Sequence, residues 1–324
     1  MRRRSLLGAA MAVGPARSAL AQASARRRRL AVVSQADLGD NRYFRALIEE
    51  LRRLGHIEGS TLTVERFGRD SGASGMVAGL QQAIRAEPDV IYAIAAGSSL
   101  KQIQTAIPIV ALTADPVGQG IAETLAQPGG NITGVSVDTG PSVHGKRLEL
   151  LREAFPGLSI LGFVTLRVAW ETVQGPAMRA AAEAAGIRLV AKLLDPPVSG
   201  KSFREAIGEM PRDGANALIV GDHPAALGFR SAIVEAAAEA RLPAMYTFPE
   251  TVEAGGLMAY SFDLIDLNRH VARSIDAVLR GTPPGVIPFY QTSTFTLSIN
   301  LKTAAAQGIV FPQSILGRAD EVIE

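Results

Sequence analysis

From Leu30 onward, short apolar runs alternate with stretches whose apolar residues recur at helical spacing. This alternation restricts the chain to β-α units more strongly than any other feature. Residues 30–34 (LAVVS), 62–67, 89–93 (DVIYA) and 107–112 (IPIVAL) read as strands. Between them, Phe44, Leu47, Ile48, Leu51 and Leu54 mark a helix that Gly55 ends, residues 76–85 mark a second and residues 100–105 a short third. Residues 121–126 read as a weak helix, and residues 132–137 lead out of this unit.

The pattern then starts again. Helices are expected at 146–154, 173–185, 203–210, 229–240 and 267–280, and strands at 160–165, 189–193, 217–220, 244–247 and 257–260. A β-rich tail follows, with 295–299 its clearest strand. Apolar strands without polar alternation belong to sheets covered on both faces. Two successive sets therefore predict an α/β protein of two doubly wound parallel-sheet lobes. The length of 324 residues fits two domains of roughly 100–200 residues each. Such sheets bind ligands beyond the carboxyl ends of their strands, so the cleft between lobes is the expected site.

The charge is unevenly placed. Eight of the 33 Lys and Arg residues lie before Leu30, and none of the 31 Asp and Glu residues does. The remainder carries a net charge of −6, which argues against nucleic acid as a partner. Residues 1–23 have a basic start, an apolar stretch over 6–13 and small-x-small endings at Ala19-Leu20-Ala21 and Ala21-Gln22-Ala23. They read as a cleaved secretory signal peptide and so predict a periplasmic protein. Arg3-Arg4-Ser5-Leu6-Leu7 also resembles a twin-arginine export signal, so both export routes stay open. Arg26 to Arg29 read as a solvated start to the mature chain.

Few catalytic patterns are present. Cys is absent, which excludes disulfides, thiolate metal sites and cysteine nucleophiles. His56, His144, His223 and His270 are scattered, and no H-E-x-x-H, Walker A or G-x-S-x-G motif occurs. Gly118-Gln119-Gly120 begins like a dinucleotide fingerprint, but Glu123 stands where its third glycine belongs. No metal, cofactor or catalytic residue is expected.

Polar residues at strand ends point to ligand binding instead. Ser34 and Gln35 end the first strand, Gly97, Ser98 and Ser99 follow the third, and Thr113 and Asp115 follow the fourth. In the second set Asp222 and His223 follow one strand, Thr247 and Phe248 another, and Tyr260 closes a third. Hydroxyls and free N–H groups at such turns accept a carboxylate. Asp115 suits an ammonium or hydroxyl group, and its replacement by Ala is expected to weaken binding at least about tenfold. Tyr246, Phe248 and Tyr260 suit an apolar ligand part. Each has a structural alternative: Ser98 or Ser99 as a helix cap, Asp115 as a turn former before Pro116, the aromatics as core.

Several segments then resemble one family. They are LRRLGHIEGSTLTVE (51–65), IPIVALTADPVGQGIAETLAQPGGNITGVS (107–136), GKRLELLREAFPG (145–157), VEAGGLMAYSFDLIDL (252–267), INLKTAAAQGIVFP (299–312) and ADEVIE (319–324). In this order they are similar to the substrate-binding proteins of ABC transporters, whose members include receptors for tryptophan and other aromatic amino acids. The resemblance implies the type I periplasmic-binding-protein fold, with two lobes joined by a three-segment hinge. Lobe one would comprise residues 30–134 and 261–284, and lobe two residues 135–260 and 285–324. Crossings would fall near Gly134, Ser261 and Pro284. It further implies a monomeric receptor that performs no covalent chemistry. This receptor would clamp a small organic solute, an amino acid or related carboxylate, and deliver it to an ABC permease in the inner membrane. A periplasmic sensor serving a membrane kinase and an exported α/β enzyme are the alternatives. A cytosolic repressor of this fold would carry a helix-turn-helix before the first strand, where this sequence has the signal segment. The chain departs from its relatives at Thr165-Leu166-Arg167-Val168, where many have Asn-Pro, and in a shorter loop around Gly97. Arg167 then either enters the cleft and meets a second carboxylate or is a solvated surface residue.

Overall fold

The computed structural model describes residues 27–34, 41–68, 73–137 and 142–324. Residues 1–23, expected from the sequence to be a signal peptide, and Gln35 lie outside the described residues. Among the described residues, thirteen strands form two sheets. The first contains β1 (Arg28–Val33), β2 (Leu62–Phe67), β3 (Val90–Ile94), β4 (Ile109–Thr113), β5 (Ile132–Ser136) and β11 (Tyr290–Gln291), in the order β11-β5-β4-β3-β1-β2. The second contains β6 (Ile160–Leu166), β7 (Arg188–Leu194), β8 (Ala217–Val220), β9 (Ala244–Tyr246), β10 (Met258–Phe262), β12 (Phe295–Asn300) and β13 (Glu321–Ile323), in the order β13-β12-β10-β9-β8-β6-β7.

Every pairing in the first sheet is parallel. The second differs from the expected all-parallel sheet in one pair: β10 and β12 run antiparallel, with Ser261 opposite Thr296. From Asp263 the chain passes through the first lobe, where the helix Leu264–Leu279 packs, and re-enters the second sheet at the end it left, with Phe295 opposite Phe262, so β12 runs antiparallel to β10.

Helices cover both faces of each sheet. Helix α1 (Arg42–Arg53) starts at Asn41, whose Oδ1 accepts from the Tyr43 N–H at 2.8 Å, and stops near Gly55 at φ +98°. Its Phe44, Leu47 and Leu51 pack with Val271 and Ile275 of the helix Leu264–Leu279 over one face of the first sheet. Met76 and Leu80 of α2 (Ala73–Arg85) cover the other face. Each such buried side chain contributes roughly 1.5–3 kcal/mol. In the second sheet, α3 (Ser142–Ala154) and the helix Gly175–Ala185 cover one face, while the helices Gly200–Glu209 and Arg230–Glu239 cover the other. Gly134 of β5 has φ +148°, and a Cβ there would overlap the Ala111 carbonyl, so only glycine fits beside β4. Among the described residues no helix is long and apolar enough to cross a membrane.

Local expectations changed at several points. The first strand begins at Arg28 rather than Leu30, because Arg28 and Arg29 pair with Asp89 and Glu65 instead of standing free in solvent. Residues 121–126 form turns, not a helix: Gly120 takes φ +62°, and the Glu123 N–H bonds the Pro128 carbonyl. The short helix after β3 is a 3-10 turn at Gly97–Gln102. The tail is mixed rather than β-rich, with helices at Leu301–Ala306 and Gln313–Leu316. The third passage between sheets lies after Gln291, beyond Pro284, because Tyr290 and Gln291 pair with Val135 and Ser136 of the first sheet.

Candidate functional site

The carboxyl ends of the two sheets approach each other. Arg42, at the start of the helix that follows β1, reaches the short helix Pro249–Glu253 that follows β9. Its Nε lies 3.0 Å from Glu250 Oε1 and its Nη1 2.8 Å from Glu253 Oε1. Phe262 at the end of β10 packs into the core of the first sheet, which ties the sheets together a second time.

On the first-sheet side, Ser34 is buried at the end of β1. Thr113 is buried at the end of β4, and its Oγ1 donates to Gln119 Oε1 at 3.2 Å. The same Gln119 amide covers Gly97, where a Cβ would come within 3.0 Å of it. Gln119 therefore couples the β3 and β4 loops. Asp115 takes φ +38°, and its Oδ1 accepts from the Gly118 N–H at 2.8 Å. That bond makes it a turn residue, and its Oδ2 lies against Gly118, where a Cβ would overlap it. Gly97 and Ser99 lie in the 3-10 turn, and the Ser99 N–H donates to the Ala96 carbonyl. The side chain of Ser98 lies outside the described residues.

The second-sheet side is dominated by a residue that the sequence reading passed over. Arg147 of α3 is fully buried. Its Nε donates to the Tyr260 carbonyl at 2.9 Å and its Nη1 to Asp222 Oδ2 at 2.5 Å, and it lies 5.8 Å from the Phe262 ring centroid. Asp222 is fixed from behind: Gln174 Nε2 donates to its carbonyl at 2.7 Å, and Thr165 Oγ1 donates to Gln174 Oε1 at 2.7 Å. A Cβ on Gly221 would crowd Thr165 Oγ1 at 2.6 Å, so this packing requires glycine. His144, one turn before Arg147, stands edge-on to Phe163 with centroids 6.5 Å apart. Burial first, then Arg147, push its imidazole down to about 4 against the opposing pull of Asp222, so it is neutral.

His223 caps the helix that follows it, its Nδ1 accepting from the Ala225 N–H at 3.0 Å, and burial pushes its imidazole down to about 4. Tyr246 and Phe248 are buried in the core beside Val220 and Val252. Tyr260 is half-buried and stacks on Phe295 with centroids 5.2 Å apart. Arg167 pairs with Asp195 at 2.8 Å, both largely exposed. The geometry thus gathers Arg147, Asp222 and His144 at one rim, with Thr247 at the end of β9 beside Tyr246, Phe248 and Thr251. It gives Tyr246 and Phe248 packing positions and Arg167 a surface one.

Unpartnered buried groups mark the same rim. Such groups are rare in folded proteins, and each calls for an explanation. Among the described residues, buried side-chain polar atoms without a hydrogen-bond partner occur on His144 (Nδ1), Arg147 (Nη2), Asp222 (Oδ1), Thr247 (Oγ1) and Gln307, whereas the buried atoms of Arg42, Tyr43 and Glu250 at the inter-lobe contact lie against one another, with Arg42 Nε ion-paired to Glu250. The sequence did hold one signal for Arg147. It recurs with Val143 and Leu151 at i, i+4 spacing on the apolar stripe of α3, where a charge is out of place. Among the described residues no group of three His, Asp or Glu side chains could hold a metal ion.

A family model described as ABC transporter substrate binding protein matches residues 40–323. A search of curated proteins found no match. Among solved structures, a conserved domain protein from Vibrio cholerae is similar at TM-score 0.82 and 24% identity, over 92% of this chain and 100% of that one. An ABC domain from Streptococcus pneumonia in complex with L-Trp is similar at TM-score 0.82 and 23% identity, with the same coverage of both chains. The 5-methylthioribose transporter solute-binding protein from Thermotoga lettingae, in complex with 5-methylthioribose, follows at TM-score 0.62 and 14% identity, over 91% of this chain and 92% of that one. At these identities the structures establish a shared fold.

Proposed function

This chain belongs to the family of ABC transporter substrate-binding proteins, and from that premise we propose that it is a periplasmic receptor closing two lobes over one small organic solute. The family is one of solute-binding proteins. The observation that carries the reading is the set of unpartnered buried atoms on His144, Arg147, Asp222 and Thr247 at the carboxyl end of the second sheet, facing the first. Polar groups arranged this way are satisfied by a ligand enclosed between the lobes.

Closure is hinge bending around the passages after β5, β10 and β11, with Arg42 meeting Glu250 and Glu253 as the lobes come together. The bound form is favoured because only it lets ligand touch both rims. Ser34, Thr113 and the Asp115 carboxylate contribute from the first lobe, with the turn at Gly97 and Ser98 supplying backbone N–H groups. The solute is an amino acid or related carboxylate, a reading supported by the similar fold that holds L-Trp. The closed receptor, a monomer, presents a surface made by both lobes to the inner-membrane permease. The basic, apolar and small-residue pattern of residues 1–23 supports export.

The test is a thermal-shift screen of amino acids and related carboxylates on the mature protein, followed by calorimetry. One solute bound per chain and recovered unaltered is the expected result. A panel that leaves the melting temperature unchanged, or a solute that emerges chemically transformed, overturns the reading.

A further inference from the structure

We propose that Arg147, Asp222 and His144 form the polar subsite that selects the ligand's charge: it takes a ligand end with an acceptor and a donor on neighbouring atoms and no net charge. This rests on the receptor reading above and assigns its specificity.

The argument is one of electrical balance. Arg147 is fully buried, and its positive charge is matched by one carboxylate, Asp222, at 2.5 Å. His144 is neutral, so the cluster carries no surplus charge. At this subsite a ligand end bringing a net charge would bury it without a counter-charge. Hydrogen-bonding capacity is nevertheless left over on both sides. Arg147 Nη2 has protons to donate, Asp222 Oδ1 has lone pairs to accept, and His144 Nδ1 takes either role according to its tautomer. The complement is a solute end that accepts from Arg147 and donates to Asp222 while remaining neutral. The zwitterionic head of an α-amino acid does this with its carboxylate and ammonium, and a vicinal diol does it with two hydroxyls. The second layer holds the pair in place: Gln174 fixes the Asp222 backbone, and the Tyr260 carbonyl fixes Arg147 Nε.

Calorimetry on the full mature protein and on Asp222→Asn, with folding checked by circular dichroism, tests this. The probes are L-tryptophan and L-leucine as zwitterions, allitol as a polyol, indole-3-propionate and succinate as anions, and tryptamine as a cation. We expect a neutral probe to bind tightest to the wild type, zwitterion or polyol identifying the source of the chemistry. Asp222→Asn leaves the Arg147 charge unbalanced. It should weaken the neutral probe at least tenfold and bind the anions more tightly than the wild type does, a reversal that a merely structural Asp222 would not produce. If Asp222→Asn does not fold, the wild-type charge ranking alone decides. A wild type that prefers an anion or the cation overturns the subsite and leaves the receptor reading standing, as does a folded Asp222→Asn with unchanged affinities. A protein that binds no probe overturns both.

Discussion

The Arg147 guanidinium and the Asp222 carboxylate meet at 2.5 Å on the carboxyl end of the second sheet, although no part of the Arg147 side chain reaches solvent. The pair joins α3 to the loop after β8 and sets the floor of the inter-lobe rim. Buried pairs of this kind contribute little net stability against an apolar replacement, yet breaking one is costly because a charge is stranded.

Arg147→Met therefore should destabilise the protein by about 2–3 kcal/mol, at the lower end of such losses because Asp222 keeps 21% exposure. The double variant Arg147→Met/Asp222→Leu should recover at least half of the loss. Urea unfolding of both variants and of Asp222→Leu alone completes the cycle. A double variant as unstable as Arg147→Met would show that the guanidinium's packing, not its charge, matters here.

Arg42 makes the ion pairs between the lobes, and it is partly solvated. Each pair is thus worth about 0.2–1 kcal/mol. Arg42→Gln should lower affinity for the bound solute about two- to fivefold with little change in melting temperature. The difference should shrink in 1 M salt, where the screening length is about 3 Å. Calorimetry at two salt concentrations measures this, and a salt-independent loss would place Arg42 in direct ligand contact.

Acid should destabilise the protein in two stages. His144 and His223 are held at about 4 in the folded state, so below about pH 6.5 the unfolded chain binds protons first. Their contribution is complete above that pH and declines as pH falls toward 4, by at most about 3 kcal/mol for each group. Glu50 follows. A hydrogen bond from Arg53, working against burial and aided by Arg273, holds its carboxyl down to about 2, so its contribution fades between pH 4.5 and 2. Urea midpoints from pH 7 to pH 3 trace both stages. His223→Asn keeps a capping acceptor and should remove about half of the first slope.

Asp115 accepts a turn bond from Gly118 through Oδ1, and its second carboxylate oxygen packs against the same glycine. Asp115→Asn preserves the turn acceptor and should melt within a degree or two of wild type, whereas Asp115→Ala should cost about 1 kcal/mol. Both should weaken ligand binding at least tenfold if the carboxylate charge is used. Full affinity in Asp115→Asn would confine Asp115 to the turn.

Much of the architecture was legible in the sequence because burial on both faces makes strands such as LAVVS and DVIYA uniformly apolar, and the helices between them repeat at 3.6 residues. The antiparallel β12 was not, since a strand's apolar pattern carries no direction. The segment 121–126 misled because its apolar spacing suits a helix while Gly120 and Pro128 impose turns. Strand ends located the turns that hold Asp222 and Thr113 at the carboxyl ends of the two sheets. They were a poor guide to Tyr246 and Phe248, where side-chain direction decides between core and cleft.

What the sequence determined by itself is therefore the class of fold, two covered α/β sheets, because periodicity and burial are local properties of the chain. The tertiary structure alone decided which polar groups act together. Arg147 and Asp222 are separated by three strands and several helices along the chain, and only the packing of α3 across the sheet brings their charges into contact. Residue spacing encodes which face of an element is apolar. The distance between two charges on different elements depends on every helix and strand placed between them.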